Sequence, residues 1–215
     1  MQEFLKGINR AIGVGAGYMP IAIGFGALAK QSELSDAAAV GMSVWVYAGA
    51  AQFAALEGIR QNLSWFSIVV TMLLMNLRHI PMSLAIKPIF SRFEGKQQLL
   101  LAHGLTDEAF ALDVSDKPRS WHYYTGIHLF CWLSWIFGTW VGTHVGQQIP
   151  AQWLQFALPS LFLCLLIDSI KTWNQQTIIT ILTGIVLVLT LQNVGTLGIL
   201  LSILGVATVA TRQNQ

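Results

Sequence analysis

The sequence predicts an all-α, polytopic integral membrane protein with seven or eight transmembrane helices, some of them kinked or broken. Three observations carry this. Of the 215 residues, 54% are hydrophobic and only 10% are charged. Soluble domains carry about 25% charged residues, so this chain has too little polar material to cover a water-facing surface. The charges are also gathered at a few places. None falls between Arg10 and Lys30, Asp36 and Glu57, Arg60 and Arg78, Arg119 and Asp168, or Lys171 and Arg212. A helix needs about 20 apolar residues to cross a hydrocarbon core of about 30 Å. The first three runs fit one crossing each and the last two fit two each. Turn residues divide those two long runs, at Gln147-Gln148-Ile149-Pro150 and at Gln192-Asn193-Val194-Gly195. In lipid the backbone must satisfy its own hydrogen bonds, so the runs read as helices. Their length and lack of alternation exclude a membrane β-barrel. A net charge of +2 points to no nucleic-acid partner.

The segments fall at residues 11–29, 37–56, 64–86, 97–114, 123–145, 153–167, 175–191 and 195–210, with the fourth the weakest. The whole chain, 1–215, reads as one transmembrane domain, and its longest polar stretch, 113–122, as a loop. The first apolar run is longer than that of a signal peptide and lacks a clear cleavage site. If segment four crosses, seven basic residues lie inside and four outside with the N-terminus in the cytoplasm. If it does not, eight lie inside and three outside, with the N-terminus outside. Cys131 and Cys164 sit in apolar runs and read as packed thiols. No metal or redox spacing surrounds them, and no cofactor is expected.

Several polar or helix-breaking residues fall inside these segments. Tyr18, Pro20, Gly24, Phe25 and Gly26 occupy the first, together with Gly13, Gly15 and Gly17. Proline removes a backbone donor and clashes with the preceding turn. A break there would expose backbone groups to substrate; alternatively the glycines serve close helix packing. Gln52 follows the small residues 48–51 and reads as a substrate contact or an interhelical hydrogen bond. Asn76, Arg78 and His79 fall in the middle or second half of segment three. Arg at a helix centre costs about 2.5 to 3.5 kcal/mol, so Arg78 is expected to pair. Thr106, Asp107, Glu108 and Phe110 supply partners in segment four. The acids read either as a proton or counter-ion site, with pKa values set by burial and by Arg, or as helix N-terminal acids in an aqueous loop. In segment five Trp132, Trp135 and Thr139 share a face with His128, beside the packing seam Gly138, Gly142 and Gly146. Segment six carries a further kink at Pro159, with Asp168 and Lys171 near its end.

Six stretches together resemble the large subunit of the branched-chain amino acid permease (AzlC) family. They are Pro20-Ile-Ala-Ile-Gly-Phe-Gly-Ala-Leu-Ala29, Tyr47-Ala-Gly-Ala-Ala-Gln-Phe53, Asn76-Leu-Arg-His79, Thr106-Asp-Glu-Ala-Phe110, Trp135-Ile-Phe-Gly-Thr139 and Phe156-Ala-Leu-Pro-Ser-Leu-Phe162. They occur in the family's order and cover most of the chain up to Lys171. The chain departs from the pattern at Tyr47, where an apolar residue or Phe is common, and in its short N-terminal lead. The resemblance implies a secondary exporter of valine, leucine or isoleucine in the bacterial cytoplasmic membrane. It also implies a small hydrophobic partner subunit. No nucleotide-binding motif is present. The competing class is a membrane-embedded enzyme built on Arg78, His79, Asp107 and Glu108, for which no nucleophile arrangement is apparent.

Overall fold

The computed structural model describes residues 1–115, 117–146, 148, 175–191, 201–202 and 205–206. Segment six, segment eight apart from residues 201–202 and 205–206, the Pro159 kink, Cys164, Asp168 and Lys171 lie outside them. The described residues belong to two compact units, Met1–Leu161 and Phe162–Gln215. Every regular element among them is helical.

In the first unit α1 spans Gln2–Gln31, opening on a Glu3–Lys6 pair of 2.7 Å. It passes through Pro20 without interruption, so the break expected in segment one is absent. Close packing holds it. Its glycine face meets α8 (Trp121–Val145) backbone to backbone. A Cβ on Gly26 would lie 2.1 Å from the Thr139 carbonyl oxygen, and one on Gly142 would lie 2.2 Å from that of Ile23. Only glycine permits such an approach. Packing of this extent outweighs one lost donor, since tertiary contact supplies most helical stability.

Pairing along the seam fixes direction. Gly7 meets Tyr123, Gly15 meets Phe130, Ala22 meets Gly138 and Ala27 meets Gly146. Residue numbers rise together, so α1 and α8 run parallel. Parallel neighbours that both cross a membrane need an odd number of crossings between them.

All three of those segments are broken. Segment two becomes α2 (Asp36–Trp45) and α3 (Gly49–Arg60). Ser35 caps α2, accepting from the Ala38 amide at 3.2 Å, and Lys30 holds Asp36 at 2.7 Å. The Lys30 ammonium hydrogen-bonded to Asp36 holds its exposed carboxyl below the usual range. The helix stops where Tyr47 takes a φ of 41°, a left-handed conformation costly for a side chain with a Cβ. Segment three becomes α4 (Trp65–Asn76) and α5 (His79–Phe90). Here the cause is Pro81. It has no N–H for the Leu77 carbonyl four residues back, and its ring clashes with that group. The Ile80 amide bonds Leu77 instead, at 3.0 Å. Segment four becomes α6 (Gly95–His103) and α7 (Asp107–Ser115). Thr106 starts α7 by accepting from the Ala109 amide at 3.2 Å, and Asp107 and Glu108 complement the positive end of the helix. Asp113, expected in a loop, is buried in α7.

Among the described residues, Gln2–Gln31 and Trp65–Phe90 are long and apolar enough to cross a membrane. The second is α4 with α5, and its outer side exposes Trp65, Phe66, Leu73, Ile80 and Leu84. In the second unit α9 (Gln175–Leu191) buries no residue. It returns its own hydroxyls to the backbone, Thr183 to Ile179 at 2.8 Å and Thr190 to Val186 at 2.8 Å. Gly205 lies against Leu187.

Candidate functional site

The breaks deliver polar groups to one place. Arg78 stands at the α4–α5 junction, and its guanidinium forms an ion pair with Asp107 at the start of α7. Both side chains are 34% exposed, so the pair is reachable. The Arg78 Nε and the Asn76 Oδ1 are buried without a hydrogen-bond partner among the described residues. His79 Nδ1 turns back to the Asn76 carbonyl oxygen at 3.1 Å. Beside the ion pair, the Tyr18 hydroxyl donates to Glu108 Oε2 at 2.6 Å and lies 2.7 Å from Thr106 Oγ1. Tyr18 comes from the middle of α1, so the continuous helix supplies the wall against which the broken ones close. Trp135 of α8 meets the Tyr18 ring edge-to-face at 5.4 Å.

Behind Trp135 lies a buried chain of hydrogen bonds. Trp135 Nε1 donates to Gln52 Oε1 at 3.0 Å, and Gln52 Nε2 donates to Ser43 Oγ at 3.1 Å. Ser43 Oγ meets Thr139 Oγ1 at 2.8 Å. Gln52, Ser43 and Thr139 are all fully buried. Gln52 thus links α2, α3 and α8, its amide nitrogen and oxygen each bonded to protein.

Tyr18, Asn76, Arg78, His79, Thr106, Asp107, Glu108 and Trp135 lie along this junction, and Phe110 is half-buried one turn further on α7. Pro20, Gly24, Phe25 and Gly26 belong instead to the body of α1. Phe25 is fully buried and packs edge-to-face on Phe53 at 5.4 Å. Amides beside Pro20 stay within a helix, so an open backbone there is not available as a carboxylate holder. His103 and Asp107, four apart, fall on different helices.

Sequence reading passed over three contributors. Ser43 carried no pattern. Pro81, at a distance of four from Leu77, was a usable signal for the break. The α2–α3 break frees the Val44 carbonyl, as helix ends do. It lies 3.2 Å from His103 Nε2 and accepts from Trp132 Nε1 at 3.2 Å. An apolar cleft of about 560 Å³ opens beside these groups, lined by Val44, Leu101, His103, Gly104, His128 and Trp132 among others.

A family model described as AzlC protein matches residues 13–149. The chain belongs to the AzlC family. The match takes in α1 from residue 13 and all of α2 to α8, and hence the whole junction. Inner membrane protein YgaZ of Escherichia coli K12 is 30% identical over 203 residues, covering 89% of this chain and 83% of the relative. An uncharacterized membrane protein of Helicobacter pylori strain 26695 is 33% identical over 187 residues, covering 80% and 79%. The branched-chain amino acid transport protein AzlC of Bacillus subtilis is 24% identical over 173 residues, covering 77% and 67%. No solved structure matches. This AzlC-family chain is an integral membrane protein, and the cytoplasmic-membrane location expected from its sequence stands. Its family is linked to branched-chain amino acid transport rather than to catalysis.

Proposed function

We propose that the chain is the large subunit of a secondary transporter that exports valine, leucine and isoleucine, with residues 1–215 acting as one transmembrane transport domain. One observation carries this reading: the reachable Arg78–Asp107 ion pair stands beside Glu108 at the junction of broken helices. A zwitterionic amino acid matches that arrangement. Its carboxylate replaces Asp107 on the Arg78 guanidinium, and its ammonium is taken by the released Asp107 and by Glu108. The empty site is then held closed by an internal pair of the same chemistry, so no unpaired charge is left in an apolar setting. Broken membrane helices around a substrate site are a recurrent device in secondary transporters. Phe110 offers apolar surface for a branched side chain, and Trp135 and Tyr18, both buried while the ion pair is closed, would extend that wall once it opens.

Export is the direction the family resemblance implies. A small hydrophobic membrane subunit belongs to the same reading, and the exposed apolar side of α4 and α5 offers it a surface. A methylene in an apolar pocket is worth only about 1 to 3 kcal/mol. The three branched substrates should therefore compete with modest preference, and aspartate and lysine should be rejected. The test is efflux of labelled valine from cells carrying the full chain. Arg78→Ala should lower it by at least about tenfold, in keeping with loss of a desolvated charge contact. Arg78→Lys should retain only part, because an ammonium lacks the bidentate fork. Unchanged efflux in Arg78→Ala rejects the site. Equal competition by lysine and valine rejects the pocket.

A further inference from the structure

A second polar pair lies deeper in the same unit and takes no part in the substrate site. Asp113 of α7 is fully buried and His128 of α8 is 5% exposed, with Oδ2 2.8 Å from Nε2. His128 falls inside the uncharged run between Arg119 and Asp168. We propose that the Asp113–His128 pair is a proton-binding site whose occupancy is coupled to the substrate site. This rests on the transport reading above.

The argument starts from charge. With one shared proton the pair is neutral overall, as an ion pair or as acid and imidazole. Losing that proton makes the pair one charge more negative, and gaining a second makes it one charge more positive. Each change is a unit charge in a low-dielectric interior and shifts the balance between conformations. His128 also has somewhere to take a proton. With Nε2 on the carboxylate, Nδ1 has no partner among the described residues. The ring also lines the apolar cleft. Gly104, at the α6–α7 break, sits against it: a Cβ there would lie 2.6 Å from Nδ1. The ring therefore touches the break itself.

Two helices connect the sites. The nine residues of α7 carry Asp107 and Glu108 at one end and Asp113 near the other. Five residues separate Glu108 from Asp113, about 7.5 Å at ~1.5 Å per residue. On α8, His128 and Trp135 lie about two turns apart. A shift of α7 that follows exchange of the Arg78–Asp107 pair moves both sites together. Among the charged and titratable groups around the pair are Arg10 of α1, His103 of α6, Glu108 of α7, and Tyr124 and Cys131 of α8. Arg10 donates to Ser115 at 3.1 Å, just beyond Asp113. Phe90 of α5 covers the imidazole edge-to-face at 6.1 Å. The step itself makes and breaks only N–H or O–H bonds: one proton enters from one aqueous side and leaves to the other.

The experiment uses membrane vesicles carrying the full chain, with labelled valine and an internal pH dye. Wild type should accumulate valine under an imposed pH gradient, and proton movement should accompany it. Asp113→Asn should lower gradient-driven accumulation by about tenfold, the middle of the range for coupling between sites. Valine–valine exchange, which needs no net proton movement, should persist. His128→Gln should act in the same direction, and it decides the matter if Asp113→Asn yields no monodisperse protein. Wild-type movement indifferent to the gradient overturns the proposal and leaves transport standing. Undiminished gradient-driven accumulation in the variants also overturns it. So does equal loss of accumulation and exchange, which assigns the pair a structural role. Absence of any valine movement in wild type removes the transport reading and this proposal together.

Discussion

The α1–α8 seam and the block from α2 to α7 are both built largely from apolar sequence, yet they obey opposite rules. In the seam two long helices lie parallel and touch through glycines along their whole length. Proline at position 20 does not interrupt it. In the block, three successive segments each stop midway, at Tyr47, at Leu77–Arg78 and at Gly104–Thr106. The seam's geometry is set by backbone proximity, and the polar groups of its two helices, Tyr18, His128 and Thr139, bond residues of the block. The block carries Arg78, Asp107 and Glu108, which need partners inside the protein. Continuous helices supply a fixed wall, and broken ones bring their ends to it.

The strongest test of this contrast is topological. Parallel α1 and α8 place Met1 and Lys117 on the same side of the membrane. Reporters fused at the N-terminus and inserted beside Lys117 should give the same sidedness; opposite sidedness breaks the parallel seam. Next comes Gly142→Leu. Its Cβ would lie 2.2 Å from a backbone oxygen of α1, where nothing flexible can yield. Overpacking of a core typically costs about 1 to 3 kcal/mol, occasionally more, and backbone overlap belongs at the upper end. Folded protein recovered by size exclusion should fall severely, whereas Gly13→Leu, which meets nothing within 4 Å, should be tolerated.

Pro81→Ala sharpens the other half. It returns a donor to the Leu77 carbonyl and removes the ring clash, relieving a helix-interior penalty of about 3 kcal/mol. A straighter α4–α5 should raise thermal stability while carrying Arg78 away from Asp107 and lowering valine efflux. Higher stability with unchanged efflux would show that the break does not serve the site. The smallest effect is expected at Gln52→Leu, which removes the links to Trp135 and Ser43. Membrane hydrogen bonds are worth about 0.6 to 2 kcal/mol each. Melting temperature should drop, and efflux should fall only as far as Trp135 loses its position against Tyr18.

Much of the site was legible because its residue types are expensive in lipid. Arg78 had to find an acid, and Asp107 was among the few within the apolar runs. The glycine seam was legible as well, since glycines spaced by four on one helix announce a close neighbour. Position of the breaks was less so. Around Pro20 the sequence left a break and close packing open, and packing prevailed. Pro81 and the Gly104-Leu105-Thr106-Asp107-Glu108 stop-and-start were present but masked by the surrounding apolar runs. Tyr47 offered no sign, because a positive φ on a bulky residue is imposed by its surroundings rather than by its own preference.

Sequence by itself determined that the chain is a membrane protein, that its elements are helices, and which side chains must be paired. Those follow from transfer energies and backbone hydrogen bonding, which are local and depend on composition. Only the tertiary structure decided that Arg78 meets Asp107, that Tyr18 meets Glu108, that Asp113 leaves the expected loop to pair with His128, and that α1 and α8 run in one direction. Each of these joins residues from separate helices, and the choice among such partners depends on how whole helices pack, which no single segment encodes.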